Sequence, residues 1–156
     1  MSTRDKIAFV IYFVGSLSLI AFGIVYLSCS TIMPYHQEAI NMNWEELSTG
    51  LQVLFQALIK VAAAGFFVTG LSTLILLLNP FRRGAQWAHW AIPLLGIVWN
   101  GFSLCVTATV AIKTHASTPW PAALVGIIFI VVAFILSPGF GNSPRAESKI
   151  TGEQRS

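Results

Sequence analysis

The sequence predicts an all-α integral membrane protein, a four-helix bundle with both termini on the cytoplasmic side, and three observations predict it. The first is composition. Of 156 residues, 55% are hydrophobic and only 10% charged, with a mean hydropathy of +0.73. A soluble domain carries about 25% charged residues. Without them a water-facing surface would precipitate, whereas a lipid-facing one needs none. The second observation is four long apolar runs separated by proline- and glycine-marked breaks. The third is a one-sided distribution of lysine and arginine.

The runs are taken in order, given that crossing ~30 Å of hydrocarbon requires about 20 helical residues. Residues 7–28 (IAFVIYFVGSLSLIAFGIVYLS) contain no charge. This stretch exceeds the roughly 7–15 apolar residues of a cleaved signal peptide, and Tyr26-Leu27-Ser28-Cys29 has tyrosine where a lipoprotein site wants an aliphatic residue. It is therefore kept as a span. Residues 51–78 form the second run, interrupted only by Lys60, and Asn79-Pro80 is expected to end it because proline disfavours a helical predecessor. Residues 87–112 form the third, with Pro93 expected to bend it slightly. Residues 120–136 form the fourth, opened by Thr118-Pro119-Trp120-Pro121 and stopped by Pro138-Gly139. Residues 1–6 and 137–156 are tails, the second polar and expected to be unstructured.

Lysine and arginine in short loops orient such a bundle. Arg4, Lys6, Arg82, Arg83, Arg145, Lys149 and Arg155 fall on one side, and Lys113 alone on the other. That asymmetry places both termini inside. Tryptophan agrees: Trp87 and Trp90 fall at the inner end of the third span, Trp120 at the outer end of the fourth, and Trp44 just outside the second, where amphipathic rings prefer headgroups.

The net charge of +3 and pI near 9.1 do not indicate nucleic acid, because the basic residues form no patch and no nucleic-acid motif is present. Cys29 and Cys105 read as unpaired thiols packed like small apolar residues. No HExxH, GxSxG, P-loop or GxGxxG occurs, and His36-Gln37-Glu38 offers too few ligands for a metal. Nothing in the sequence names a cofactor. His89 reads as an interfacial packing residue without an acidic partner.

Lys60 asks for an explanation, since ionisable residues within spans are rare and face bundle interiors or snorkel. By helical rise it lies about 13 Å from Leu51. Thr49, Gln52, Gln56 and Lys60 recur at spacings of three and four, on one face. The third span carries a second stripe: His89, Pro93, Gly96, Asn100, Ser103 and Thr107. With the two helices antiparallel, Lys60, Asn100, Ser103 and Thr107 fall at similar depth. These spacings predict an outer-facing polar pocket lined by Gln52, Gln56, Lys60, Asn100, Ser103 and Thr107, unless the third-span residues only glue helices together by hydrogen bonds of about 0.6 kcal/mol each.

Residues 29–50 form the extended outer loop and hold Glu38, Glu45 and Glu46, half of the acidic residues. Asn43 with Glu46 three residues later reads as a capping box that starts an extra helical turn leading into the second span. Glu45 then lies on the Lys60 face, where an acid could neutralise the lysine. Tyr35 and His36 come from the same loop.

The blocks MPYHQEAINMNWEELSTGLQVLFQALIKVAAAGF and LNPFRRGAQWAHWAIPLLG resemble a family of small bacterial inner-membrane proteins over about residues 32–97, at Tyr35, His36, Trp44, Gln56, Lys60 and Arg82-Arg83-Gly84. The resemblance implies a four-span bundle and no assigned activity. The residues themselves lead first to a non-enzymatic protein that binds a small molecule, a lipid or a membrane-protein partner through the Lys60 pocket, with homo-oligomerisation open. A subunit of an oligomeric transporter or channel comes second. An enzyme at the outer face, with Lys60 or His36 as base and Glu38 as acid, comes last.

Overall fold

The computed structural model describes residues 2–137, so Pro138-Gly139 and the basic residues Arg145, Lys149 and Arg155 lie outside them. Among the described residues every regular element is helical: α1 (Thr3–Ser28), α2 (Pro34–Ile40), a 3₁₀ turn (Trp44–Glu46), α3 (Thr49–Leu76), a π-helical turn (Leu77–Phe81), α4 (Gln86–Thr114) and α5 (Trp120–Leu136).

Local chemistry sets most of the boundaries. Ser2 and Asp5 cap α1 reciprocally, which satisfies two of its orphan N–H groups. α2 was not expected. It begins on Pro34 and ends at Asn41 in the left-handed region, φ 52°, both ordinary helix-boundary chemistry. The expected capping box at Asn43 and Glu46 forms, but it closes only one 3₁₀ turn. Leu47 and Ser48 are extended, and α3 starts afresh at Thr49.

Pro80 also departs from expectation, because it does not end the second long helix. The chain continues one residue past it, through the π-helical turn Leu77–Phe81. The helix is closed by the Gly84 N–H on the Phe81 carbonyl at 3.0 Å and the Ala85 N–H on the Pro80 carbonyl at 2.9 Å. Proline lacks an N–H and crowds the carbonyl four residues before it; a wider turn relieves that crowding without breaking the helix. Gly84, at φ 74°, then takes the left-handed conformation that reverses the chain into α4.

Thr3–Ser28, Thr49–Phe81 and Gln86–Thr114 are long and apolar enough to cross a membrane. α5 is a shorter apolar helix of 17 residues, about 25 Å long. The outward surface is correspondingly apolar: Val61, Phe102 and Ile112 are 71%, 71% and 76% exposed. Such a surface belongs in lipid rather than water.

α1 packs along α3, α4 along α5, and α1 against α5, while the α3–α4 seam is the thinnest of these. Specific contacts fix the register. Gly23 meets Phe67 and Ala63, Gly70 meets Ser16, Gly65 meets Trp99, Gly96 meets Ile130, and Gly126 meets Asn100. At one end, Ala8, Tyr12, Leu77, Phe81, Ala88, Ile92 and Ala133 form a buried core, and Ser137 hydrogen-bonds Asp5. Both described chain ends therefore meet there, at the terminal end of the bundle.

At the opposite end the helices stop at different heights. Because Gly23 meets Ala63, the last turn of α1 (Tyr26–Ser28) is level with Ile59 and Lys60. Thr118 Oγ1 donates to the Thr107 carbonyl, which puts the start of α5 near the same height. The first three turns of α3, about 16 Å by helical rise, therefore overhang α1 and α5, as does the last part of α4. A small core of Ile32, Leu47 and Ile59, flanked by Tyr26, Ile40, Trp44 and Phe55, seats α2 and the 3₁₀ turn against this overhang. The result is a bundle with a cap at one end.

Candidate functional site

A groove of about 490 Å³ runs along the exposed side of the α3 overhang, lined by Trp44, Gln52, Val53, Gln56, Ala57 and Lys60. The three- and four-residue spacing of Gln52, Gln56 and Lys60 does bring those side chains onto one face, as the sequence predicts. Both glutamines are locked by their amide donors. Gln52 Nε2 donates to the Trp44 carbonyl at 2.9 Å, and Gln56 Nε2 donates to the Ser30 carbonyl. Each keeps its Oε1 as an acceptor. Lys60 is exposed and forms no ion pair among the described residues. The groove thus offers one ammonium, two fixed amide acceptors and an indole ring.

Lys60 lies within the Thr49–Phe81 run that is long and apolar enough to cross a membrane. Because α3 overhangs its neighbours, the lysine is level with the last turn of α1. The helix end is not the bundle end.

The residues expected opposite Lys60 are not in this groove. Asn100 donates to the Gly96 carbonyl of its own helix at 2.8 Å, and its amide lies against Gly126 of α5. Thr107 donates to the Ser103 carbonyl at 2.7 Å, while its carbonyl receives Thr118 Oγ1. Their stripe therefore runs along the α4–α5 seam. A heptad-like spacing fixes which residues share a face but not which neighbour that face meets.

The loop acids are also placed away from Lys60. Glu38 accepts from the Ser117 backbone N–H at 2.8 Å, pinning α2 to the α4–α5 connection. Glu46 is held by Asn43, whose hydrogen bonds keep its carboxyl below the usual glutamate range. Glu45 is exposed and outside the groove lining. His36 is part-buried beside Tyr35, ring centroids 4.1 Å apart, with Nδ1 buried and lacking a hydrogen-bond partner; burial pulls its pKa down. Burial, reinforced by the 2.8 Å hydrogen bond to Tyr26, pushes the Tyr35 phenol up. Cys29 and Cys105 are free thiols.

A second polar cluster sits at the terminal end, and the sequence reading missed it. Ser137 Oγ lies 3.0 Å from Asp5 Oδ1 and 3.0 Å from His89 Nδ1. His89 therefore does have an acid nearby, reached through one hydroxyl. The signal was available: the predicted topology already put residues 5, 89 and 137 at the same end. Separations of 48 and 132 residues along the chain hid it.

Fold and groove together define a small all-helical protein of membrane type with a capped end. Comparison with protein-family models, curated proteins and solved structures gave no match.

Proposed function

We propose that this is a small four-span inner-membrane protein, both termini cytoplasmic, which binds an anionic lipid or lipid-like molecule in the groove around Lys60 and does not transform it. The carrying observation is the exposed Lys60, without an ion pair among the described residues, set level with the end of α1 in one groove with Gln52, Gln56 and Trp44.

A bilayer matched to the apolar length of α1 would have its outer headgroups at Lys60. The ammonium suits a phosphodiester. The two Oε1 acceptors suit hydroxyl donors, such as those of a glycerol or sugar headgroup rising above the phosphate. Trp44 supplies a flat apolar wall of the kind that favours the headgroup zone. The seven-to-one basic asymmetry supports the orientation, and the meeting of both described ends at one end of the bundle is consistent with it. The resemblance of residues 32–97 to small bacterial inner-membrane proteins supports the compartment.

The test is Lys60→Met in nanodiscs of phosphatidylcholine titrated with phosphatidylglycerol. The variant should bind the anionic lipid about tenfold more weakly, a loss of about 1.4 kcal/mol, with unchanged insertion and melting temperature. Affinity equal to wild type would refute the groove as the binding site.

A further inference from the structure

The terminal end carries a cavity of about 260 Å³, lined by Asp5, Phe81, Arg82, Arg83, Gly84 and His89. Arg82 and Arg83 are exposed and form no ion pair among the described residues. The acid on the cavity wall is occupied elsewhere: Asp5 accepts from the Ser2 N–H and Oγ, both at 2.9 Å, and from Ser137 Oγ at 3.0 Å. α4 opens directly after this turn without a side-chain cap, so its first free N–H groups and the positive end of its dipole lie at the same place.

His89 is oriented for a role there. Ser137 has one hydroxyl proton, and a carboxylate can only accept, so that proton goes to Asp5. Ser137 Oγ then receives the His89 Nδ1–H, and Nε2 is left without a partner among the described residues. Phe81 holds the imidazole from one side, ring centroids 4.4 Å apart. Outside the cavity lining, the outward face of α4 is apolar: Trp87, Trp90 and Leu94 are 58%, 50% and 63% exposed.

We propose that this cavity binds the phosphodiester of an anionic phospholipid in the leaflet at the terminal end. Arg82 and Arg83 supply the charge, protonated His89 adds an Nε2–H, and the acyl chains lie along Trp87, Trp90 and Leu94. Basic recesses at the cytoplasmic ends of membrane helices suit such headgroups. Free phosphate has the same charge but would leave the apolar flank uncovered. Among the described residues, the groups facing His89 are Asp5 on α1, with Arg4 and Lys6 beside it in sequence, Arg82 and Arg83 on the turn, and the neutral Ser137 that follows α5. A bound anion favours imidazolium, since both ring nitrogens then donate. A phosphodiester keeps one charge throughout the histidine range, so any pH dependence belongs to the protein.

The site is independent of the Lys60 groove, and the test is made in a Lys60→Met background to silence that groove. The full chain in detergent is titrated calorimetrically with short-chain phosphatidylglycerol, the matching phosphatidylcholine, and inorganic phosphate. Phosphatidylglycerol is expected to bind at least about tenfold tighter than either. Replacing Arg82→Gln and Arg83→Gln together should remove that preference, and His89→Gln should abolish a rise in affinity between pH 8 and 6. Equal binding of phosphatidylcholine, or an unaltered double-arginine variant, overturns the site. Inorganic phosphate binding as tightly overturns the lipid. An unaltered pH profile in His89→Gln, which keeps both arginines, overturns the histidine's part.

Discussion

Replacing Ser137→Ala removes one oxygen atom and loosens the junction of three helix ends. Ser137 is 2% exposed and its hydroxyl links Asp5 on α1 to His89 on α4, at 3.0 Å each. A hydrogen bond to a charged group contributes about 1.5–3 kcal/mol net, and one between neutral groups about 0.5–1.5. Asp5 keeps its two bonds from Ser2, so the carboxylate is not stranded and the lower end of each range applies. The loss should be roughly 2 kcal/mol, which for a chain of this size lowers the melting temperature by about 4–8 °C. Reversible unfolding in mixed micelles measures the energy, and a double-mutant cycle with His89→Phe isolates the shared part. Coupling of at least about 0.5 kcal/mol is expected for groups in one network. A Ser137→Ala protein as stable as wild type, with no coupling to His89, would refute the clasp.

Three further outcomes follow from the packing and the cap. A methyl group on Gly70 would sit 2.9 Å from the Ser16 carbonyl oxygen, which is backbone and cannot turn away, whereas Gly15 has nothing within 4 Å. Gly70→Ala should therefore cost about 1–3 kcal/mol in thermal unfolding, while Gly15→Ala should be neutral or stabilise by up to about 1. Glu38→Gln weakens the charge-assisted bond to the Ser117 N–H, so amide exchange at Ser117 should speed up several-fold while exchange in α1 stays unchanged. Burial holds the folded His36 imidazole below its ordinary value of 6.5. Below 6.5 the unfolded chain therefore binds more protons than the folded one. Stability is full above that pH and falls as pH drops through the folded value. Melting curves should show the fall on acidification toward pH 5, and His36→Phe should flatten it; an equal slope in both proteins would exclude His36 as its source.

The sequence alone determined the helices, because each apolar run is a local property. The expected 120–136 coincides with α5, and 7–28 and 87–112 lie within α1 and α4. Capping at Asn43 was legible for the same reason, as was the shared face of Gln52, Gln56 and Lys60. Pro80 and α2 were not. Whether a proline stops a helix or widens one turn depends on what packs around it, and a seven-residue helix has too few turns to show a period.

Tertiary structure decided heights and azimuths. Gly23 against Ala63 and Gly65 against Trp99 set how far α3 slides past its neighbours, and no spacing within α3 encodes that slide. For that reason Lys60 lies level with the last turn of α1. Asn100 and Thr107 turned toward α5, and Asp5 found His89 through a serine at the other end of the described chain. Periodicity fixes which residues share a face, because one helix determines it. Which neighbour that face meets, and at what height, depends on the close packing of four helices at once.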